Sequence, residues 1–254
     1  MDTVKAEIEE LLYNNAADFE IAKILKQDIK IYFSTLEDTF ASSGGKDFLV
    51  KHTKKIDSIL KLVYKVASRD MFGDYLPMKN SIPLALVALG SYGREQLCVH
   101  SDIDLMLVYK DVPGYNVKEM IEKILYILWD TGLKLGHRVH TVEDLYEVSE
   151  TDITIKTALI ESRMIEGSSF IWTETQNAIT QIRHNNIEEF IQLKLQEQAE
   201  KHSKYKLTME PNLKEGVGGF RDANLVFWIG KILFNVDNIK NLPSSLIDEK
   251  EYKA

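Results

Sequence analysis

The sequence contains a single cysteine, Cys98, so it can form neither an internal disulfide nor a metal cage built from cysteines. We expect Cys98 to be a small, partly buried hydrophobic side chain and not a nucleophile. No apolar stretch is long enough to span a bilayer, and the first twenty residues carry scattered acids where a secretory signal needs an apolar run. These absences exclude membrane-spanning and disulfide-rich classes and favour a cytoplasmic enzyme.

Basic residues are in the minority, because 31 lysines and arginines are set against 39 aspartates and glutamates, a formal net charge of −8. Domains that bind nucleic acids usually present a basic face, so this balance argues against a long RNA or DNA substrate. The 44% hydrophobic and 28% charged content is ordinary for a folded globular protein. A chain of 254 residues can bury a sizeable core in one large domain or two small ones.

Hydrophobic spacing divides the chain into three regions: an N-terminal helical region over 1–75, a core over 76–150, and a helical region over 151–254. Within the core, the pattern predicts strands over 82–91, 102–109 and 134–141 and an amphipathic helix over 116–131. A break over 41–45, rich in serine and glycine, separates two helices of the N-terminal region. The helical period returns over 152–167, continues almost to Lys206, and resumes near Asp222, a candidate N-cap. We therefore predict an α+β fold in which a small mixed sheet is flanked by helices, with a C-terminal helical bundle.

Two carboxylates stand at the start of the second predicted strand. Side chains two residues apart on a strand project from the same face, so Asp102 and Asp104 can share a metal ion. Two like charges held close together repel each other, and a divalent cation bound by oxygen ligands compensates for them. With a phosphate substrate the expected ion is Mg²⁺, whereas the alternative interpretation of the pair is a solvated strand end.

Small and polar residues close the preceding strand. Backbone amides after Gly90 and the Ser91 hydroxyl can donate to phosphate oxygens, and the Arg94 guanidinium matches phosphate geometry through its fork of donors. Ser101, directly before the carboxylate pair, is a candidate to cap the turn and to steady the carboxylates. The short link from 92 to 97 favours antiparallel or adjacent strands over a βαβ unit.

The string GSYGREQLCVHSDIDLMLVY, residues 90–109, resembles the signature of the DNA polymerase β-like nucleotidyltransferases: Gly-Ser, a nearby Arg, then Ser-Asp-x-Asp-Leu. The segments 124–141, 152–167 and 213–231 resemble the uridylyltransferase that modifies the PII nitrogen-signalling protein. The resemblance implies Mg²⁺-dependent transfer of a uridylyl group from UTP to a tyrosine of PII. It carries over to Gly90, Ser91, Asp102 and Asp104 only, and base preference and acceptor identity have no linear motif here.

That family also has a later His-Asp domain, which removes the uridylyl group. None of the six histidines in this sequence is followed by aspartate, and the chain ends soon after a glycine loop. We therefore expect either a fragment of a longer enzyme or a stand-alone relative with a different acceptor, such as another protein or a small molecule. A non-catalytic nucleotide-sensing or interaction module is the alternative from another functional class.

Two features of the sequence stay open. The polymerase-like fold usually takes a third carboxylate from a neighbouring strand, but 136–140 offer none. Asp152 and Glu161 are the remaining candidates, although acids at such positions are more often helix N-caps or solvated helix residues. The second feature is the glycine loop near 214–222, which is either a turn between helices or a loop that binds phosphate or acceptor. In the binding interpretation its contributing residues are Lys214, Gly218, Gly219 and Arg221.

Overall fold

The computed structural model describes residues 2–73, 77–205, 210–236 and 241–243. The chain divides into two compact units, one made of 1–145 and 161–178 and the other of 146–160 and 179–254. Among the described residues, no helix combines the length and the apolar character needed to cross a membrane.

The first unit begins with four helices, which account for the helical period of the N-terminal sequence. They are α1 (Asp2–Tyr13), α2 (Asp18–Ser34), α3 (Leu36–Ser43) and α4 (Gly45–Phe72). The predicted break between the third and fourth helices is confirmed, because Gly44 has a φ of 62°, a left-handed conformation that glycine adopts without steric cost. α4 is the longest helix and has one face in the core, including Ile56, Leu60 and Val63.

A four-stranded sheet follows, after a short 3₁₀ turn over Lys79–Ser81. Its elements are β1 (Leu84–Ala88), the one-turn helix α5 (Gly90–Gly93), β2 (Ile103–Tyr109), α6 (Val117–Asp130), β3 (Leu135–Thr141) and β4 (Arg163–Gly167). The strand order is β3-β2-β1-β4; β1 runs antiparallel to β2 and β4, whereas β2 and β3 are parallel. The predicted α+β class with a small mixed sheet is confirmed.

The central strands are buried on both faces, in agreement with their continuous apolar sequence. Odd-numbered residues of β2, such as Ile103 and Leu105, join the hydrophobic core that α2, α4 and α6 contribute to. Because strand side chains alternate, Asp102 and Asp104 belong to the opposite face, in line with the buried Met106 and Val108. Asp104 is thus held within β2 and Asp102 directly before it, and both carboxylates remain exposed.

The prediction of helix through 152–167 is wrong in its second half. α8 (Ile153–Ile160) ends early, and Arg163–Gly167 form the edge strand β4. Pairing of this segment with β1 decides its conformation, since Ala88 lies opposite Arg163 and Ala85 lies opposite Gly167. The register between these strands shifts at Leu86 and Val87, so the five residues of β4 show no regular alternation that sequence alone could distinguish from a helical pattern.

The second unit is helical, as predicted for the C-terminal region. The helices that contribute to it are α7 (Asp144–Thr151), α8, α9 (Ser169–His184), α10 (Ile187–Lys204) and α11 (Phe220–Phe234), the first and third of which also have residues in the other unit. A small apolar cluster of Ile160, Phe190 and Ile232 joins α8, α10 and α11. The helix predicted to resume near Asp222 begins at Phe220, after the N-cap residue Gly219.

Candidate active site

The predicted glycine-serine motif and the carboxylate strand meet at one end of the sheet. β1 ends at Ala88, which lies opposite Leu105, and the Leu89 amide donates to the Asp104 carbonyl at 2.9 Å. The next residue, Gly90, has a φ of 56°, so the chain leaves the strand through a left-handed conformation that favours glycine. This turn starts α5 beside the first residues of β2, and it brings together the two motifs that the sequence separates by about a dozen residues.

Asp104 lies between two glycines. A β-carbon added to Gly90 would be 3.3 Å from one carboxylate oxygen of Asp104, and one added to Gly136 would be 2.9 Å from the other. Gly136 is the residue of β3 that is in register with Asp104. Both oxygens therefore lie close to positions without a side chain, and a β-carbon at either glycine would press on the carboxylate.

The one-turn helix α5 is packed against the chain that leads into β4. A β-carbon on Gly93 would be 2.0 Å from the backbone carbonyl oxygen of Glu161, so only glycine permits this approach. The Gln96 amide donates to the Ser91 carbonyl at 2.8 Å, which closes the turn after the helix. The first N–H groups of a helix have no acceptor within it, and Ser91 adds a half-buried hydroxyl at the same place.

Arg94 is oriented by a neighbouring carboxylate. Its guanidinium forms an ion pair with Glu161, whose side chain is 3% exposed, and its Nε donates to the Gln96 side chain at 3.1 Å. Since a buried carboxylate without a partner is costly, Glu161 and Arg94 stabilise each other. Arg94 lies beside the Gly90–Ser91 turn, as the sequence predicts. Part of its guanidinium is already used in the ion pair with Glu161.

The two candidates for a third carboxylate have other roles in the structure. Asp152 accepts from the Thr154 amide at 2.7 Å and from the Thr154 hydroxyl at 2.6 Å, an N-cap of α8 in the second unit. Glu161 contacts Arg94. Among the described residues, no group of three or more histidine, cysteine, aspartate or glutamate side chains is arranged to hold a metal ion, so the sequence prediction of a metal site is limited to Asp102 and Asp104.

One smaller expectation near the carboxylates is wrong. Cys98 is exposed, not partly buried, because it lies in the loop between α5 and β2 that faces solvent. The Ser101 amide donates to the Cys98 carbonyl at 3.0 Å, so a backbone hydrogen bond closes the turn before Asp102. A role of the Ser101 side chain in steadying the carboxylates or binding nucleotide stays a prediction.

The glycine loop of the second unit is a hydrogen-bonded turn. The Asn212 side chain accepts from the amides of Lys214 and Glu215 at 3.0 and 2.9 Å, and Asp222 accepts from the Gly218 amide at 2.8 Å. Asp222 lies in the first turn of α11 and not at the N-cap where the sequence suggested it, because Gly219 occupies that position. The Arg221 guanidinium donates to Glu215 at 2.8 Å, whereas Lys214 is exposed. A binding role of Lys214, Gly218, Gly219 and Arg221 stays a prediction.

Sequence reasoning missed three residues that border the site: Gly136, Asp57 and Arg163. Gly136 could have been noticed as a glycine at the start of a predicted strand, a position that often marks close approach of another group. Asp57 lies on α4 and Arg163 on β4, and they form an ion pair over a separation of 106 residues. No local pattern signals a pair so distant in the chain.

Comparison with known proteins identifies two similar families and several relatives. Residues 189–254 match the GlnD PII-uridylyltransferase family, and residues 50–137 match the DUF294 nucleotidyltransferase family. The bifunctional uridylyltransferase/uridylyl-removing enzyme of Novosphingobium aromaticivorans is 33% identical over 224 residues, 83% of this chain and 23% of that protein. The enzyme of the same name from Azospirillum brasilense is 35% identical over 208 residues, 80% of this chain and 22% of that protein. The chain thus spans less than a quarter of the length of these relatives.

Proposed function

This chain resembles the nucleotidyltransferase region of the bifunctional uridylyltransferase/uridylyl-removing enzymes, and on that premise we propose that it transfers a uridylyl group from UTP to a hydroxyl of a PII-type signalling protein. The observation that carries the proposal is the position of Asp104 beside the Gly90–Ser91 turn, between two residues that lack side chains. An exposed carboxylate beside a glycine-serine turn, close to two glycines, is a suitable ligand for a metal-bound phosphate.

Asp102 and Asp104 fit a magnesium ion. Both are exposed and supply hard oxygen ligands two residues apart, Asp102 directly before β2 and Asp104 within it, and Gly90 and Gly136 place no side chain against the Asp104 carboxylate. Mg²⁺ keeps several waters and takes phosphate oxygens as ligands, so two protein carboxylates suffice for a nucleotide-bound ion. When bound, the ion would neutralise charge on the phosphates and orient the α-phosphate.

The proposed reaction depends on binding of the triphosphate at the Gly90–Ser91 turn. The amides of α5 and the Ser91 hydroxyl would donate to phosphate oxygens, and Arg94 would add positive charge beside them. The acceptor hydroxyl attacks the α-phosphorus of UTP; a new O–P bond forms, the bond to the β-phosphate oxygen breaks, pyrophosphate leaves, and the hydroxyl proton passes to solvent. Fixed donors that face the triphosphate lower the barrier by positioning and by stabilising charge.

A transfer assay tests this function. The chain is incubated with Mg²⁺ and each of the four α-labelled nucleoside triphosphates, with and without a purified PII-type protein. We expect label from UTP on the PII-type protein, no comparable label from the other nucleotides, and loss of transfer when EDTA removes the metal.

Other outcomes would contradict parts of the proposal. Label on a different molecule would replace the acceptor, and transfer from another nucleotide would replace UTP. Binding of nucleotide without transfer to any acceptor would favour a sensing module over an enzyme.

A further inference from the structure

The turn that carries Gly90 and Ser91 is anchored in the protein interior by the side chain of Tyr92, the next residue. Tyr92 is fully buried, with 0% of its surface exposed. Its hydroxyl donates to the Asp57 carboxylate, on α4, at 2.7 Å. Any displacement of the Tyr92 ring would move Ser91 and Gly90 with it, since the three residues are consecutive in one helical turn.

Arg163, at the start of β4, contacts both Asp57 and Tyr92. Its two terminal nitrogens donate to the two oxygens of Asp57 at 2.8 and 3.0 Å, a bidentate arrangement that fixes direction as well as distance. One of these nitrogens also donates to the Tyr92 carbonyl at 3.4 Å, and the guanidinium carbon is 5.5 Å from the centre of the Tyr92 ring. Arg163 therefore contacts Asp57 as well as the ring and the backbone of Tyr92.

The chemistry of this network suits a positioning role. Asp57 is 6% exposed, and a buried ion pair gives little net stability because desolvation of both charges offsets their attraction. What such a pair provides is a defined geometry, here among α4, α5 and β4. Burial and the negative charge of Asp57 raise the pKa of Tyr92, so its hydroxyl keeps its proton and stays a donor throughout the physiological pH range.

We propose that Asp57 and Arg163 are positioning residues that hold Tyr92, and through it the Gly90–Ser91 turn, in the geometry that binds the nucleoside triphosphate. This role rests on the proposed function, because the turn needs a fixed geometry only if it receives a ligand. Donors aimed at phosphate oxygens are effective when they are held in place before the substrate arrives. The network acts indirectly, because Asp57 and Arg163 contact Tyr92, the residue that follows Ser91.

Tyr92→Phe is the mildest test, because it removes the hydroxyl and keeps the buried ring. We expect the KM for UTP to rise about tenfold, the size expected for loss of a hydrogen bond to a charged group, while the variant remains folded. Tyr32→Phe is the matched control: the Tyr32 hydroxyl contacts His52 Nδ1 at 2.9 Å and is not in contact with the turn. Tyr32→Phe should leave the KM unchanged.

Arg163→Lys and Asp57→Asn extend the test to the ion pair. Lysine keeps the charge but lacks the fork of donors, so Arg163→Lys should raise the KM less than Asp57→Asn does. Lys55→Met serves as control because Lys55, two residues from Asp57 on α4, pairs with Asp28 at 2.6 Å. We expect Lys55→Met to keep the wild-type KM even if its thermal stability falls as far as that of Asp57→Asn. This result would separate a positioning role from a general loss of stability.

Direct binding of UTP with Mg²⁺, measured by calorimetry, distinguishes a failure of the positioning role from a failure of the proposed function. If the wild type binds UTP and Tyr92→Phe binds it equally well, the positioning role is wrong and the proposed function stands. If the wild type neither binds UTP nor transfers from it, the proposed function fails, and the role assigned to Asp57 and Arg163 fails with it.

Discussion

At the scale of single residues, the position of the Asp104 carboxylate depends on the absence of side chains at Gly90 and Gly136. Gly136→Ala adds a methyl group 2.9 Å from one carboxylate oxygen, and the carboxylate can move away because it is the end of a side chain. We expect the fold to survive and transfer to fall by about 100-fold, since a displacement of about 1 Å in a catalytic group can cost that much. The rate of uridylyl transfer and the thermal midpoint, measured on the same preparation, check both parts.

Wild-type transfer by Gly136→Ala would mean that the activity does not depend on a glycine next to the Asp104 carboxylate. A variant that fails to fold would contradict the view that the contact is with a movable side-chain end.

Some of these residues could be predicted from sequence and others could not. Gly90, Ser91, Asp102 and Asp104 lie within one short strand-turn-strand segment, so local spacing is enough to bring the two motifs together. Asp57 and Arg163 meet only through the tertiary fold, 106 residues apart. Cys98 was expected to be partly buried from its residue type, but its loop position decides its exposure.

At the scale of elements, α5 and the segment before β4 are packed backbone to backbone. Gly93→Ala would put a β-carbon 2.0 Å from the Glu161 carbonyl oxygen, an atom that cannot move without shifting the strand. We expect the free energy of unfolding to fall by about 3 kcal/mol, the upper range for an overpacked site. Urea denaturation measures the loss, and Gly136→Ala, whose clash is with a side chain, is the comparison.

Equal stability of the Gly93→Ala and Gly136→Ala variants would show that α5 is not packed tightly against the segment before β4.

The elements of the sheet also show how far secondary structure can be predicted from sequence. β1, β2, β3 and α6 have strong period-two, apolar or amphipathic patterns and were predicted within two or three residues, whereas the five residues of β4 became a strand only by pairing with β1.

At the scale of the whole molecule, acid should weaken the fold through the second unit. Glu197 lies on α10 between Lys194 and Lys201; burial raises its pKa, but hydrogen bonds from both lysines prevail and bring the pKa to about 2 from an ordinary value of 4.5. Because the folded-state pKa is the lower one, this pairing stabilises the protein above about pH 4.5, and the contribution is lost as the pH falls toward about 2.

Urea midpoints followed by tryptophan fluorescence at a series of pH values from neutral to acid test this dependence. We expect the wild type to lose stability across that window, Glu197→Gln to lose less, and Glu200→Gln, which changes an exposed acid on the same helix, to behave as the wild type. An acid sensitivity of Glu197→Gln equal to that of the wild type would rule out this ion pair as a source of the pH dependence.

The chain matches relatives over about four-fifths of its own length, and residues 50–137, which include Gly90 and Asp104, match the DUF294 nucleotidyltransferase family. The central claim is that Asp104 belongs to the reacting centre. Its most direct test is the rate of label transfer from UTP, with Mg²⁺ and a PII-type protein, for the wild type, for Asp104→Asn, and for Asp111→Asn. Asp111 is an exposed acid just beyond the other end of β2 and serves as the control. We predict that Asp104→Asn reduces transfer to background while keeping the wild-type thermal midpoint, and that Asp111→Asn transfers normally; normal transfer by Asp104→Asn would contradict the account.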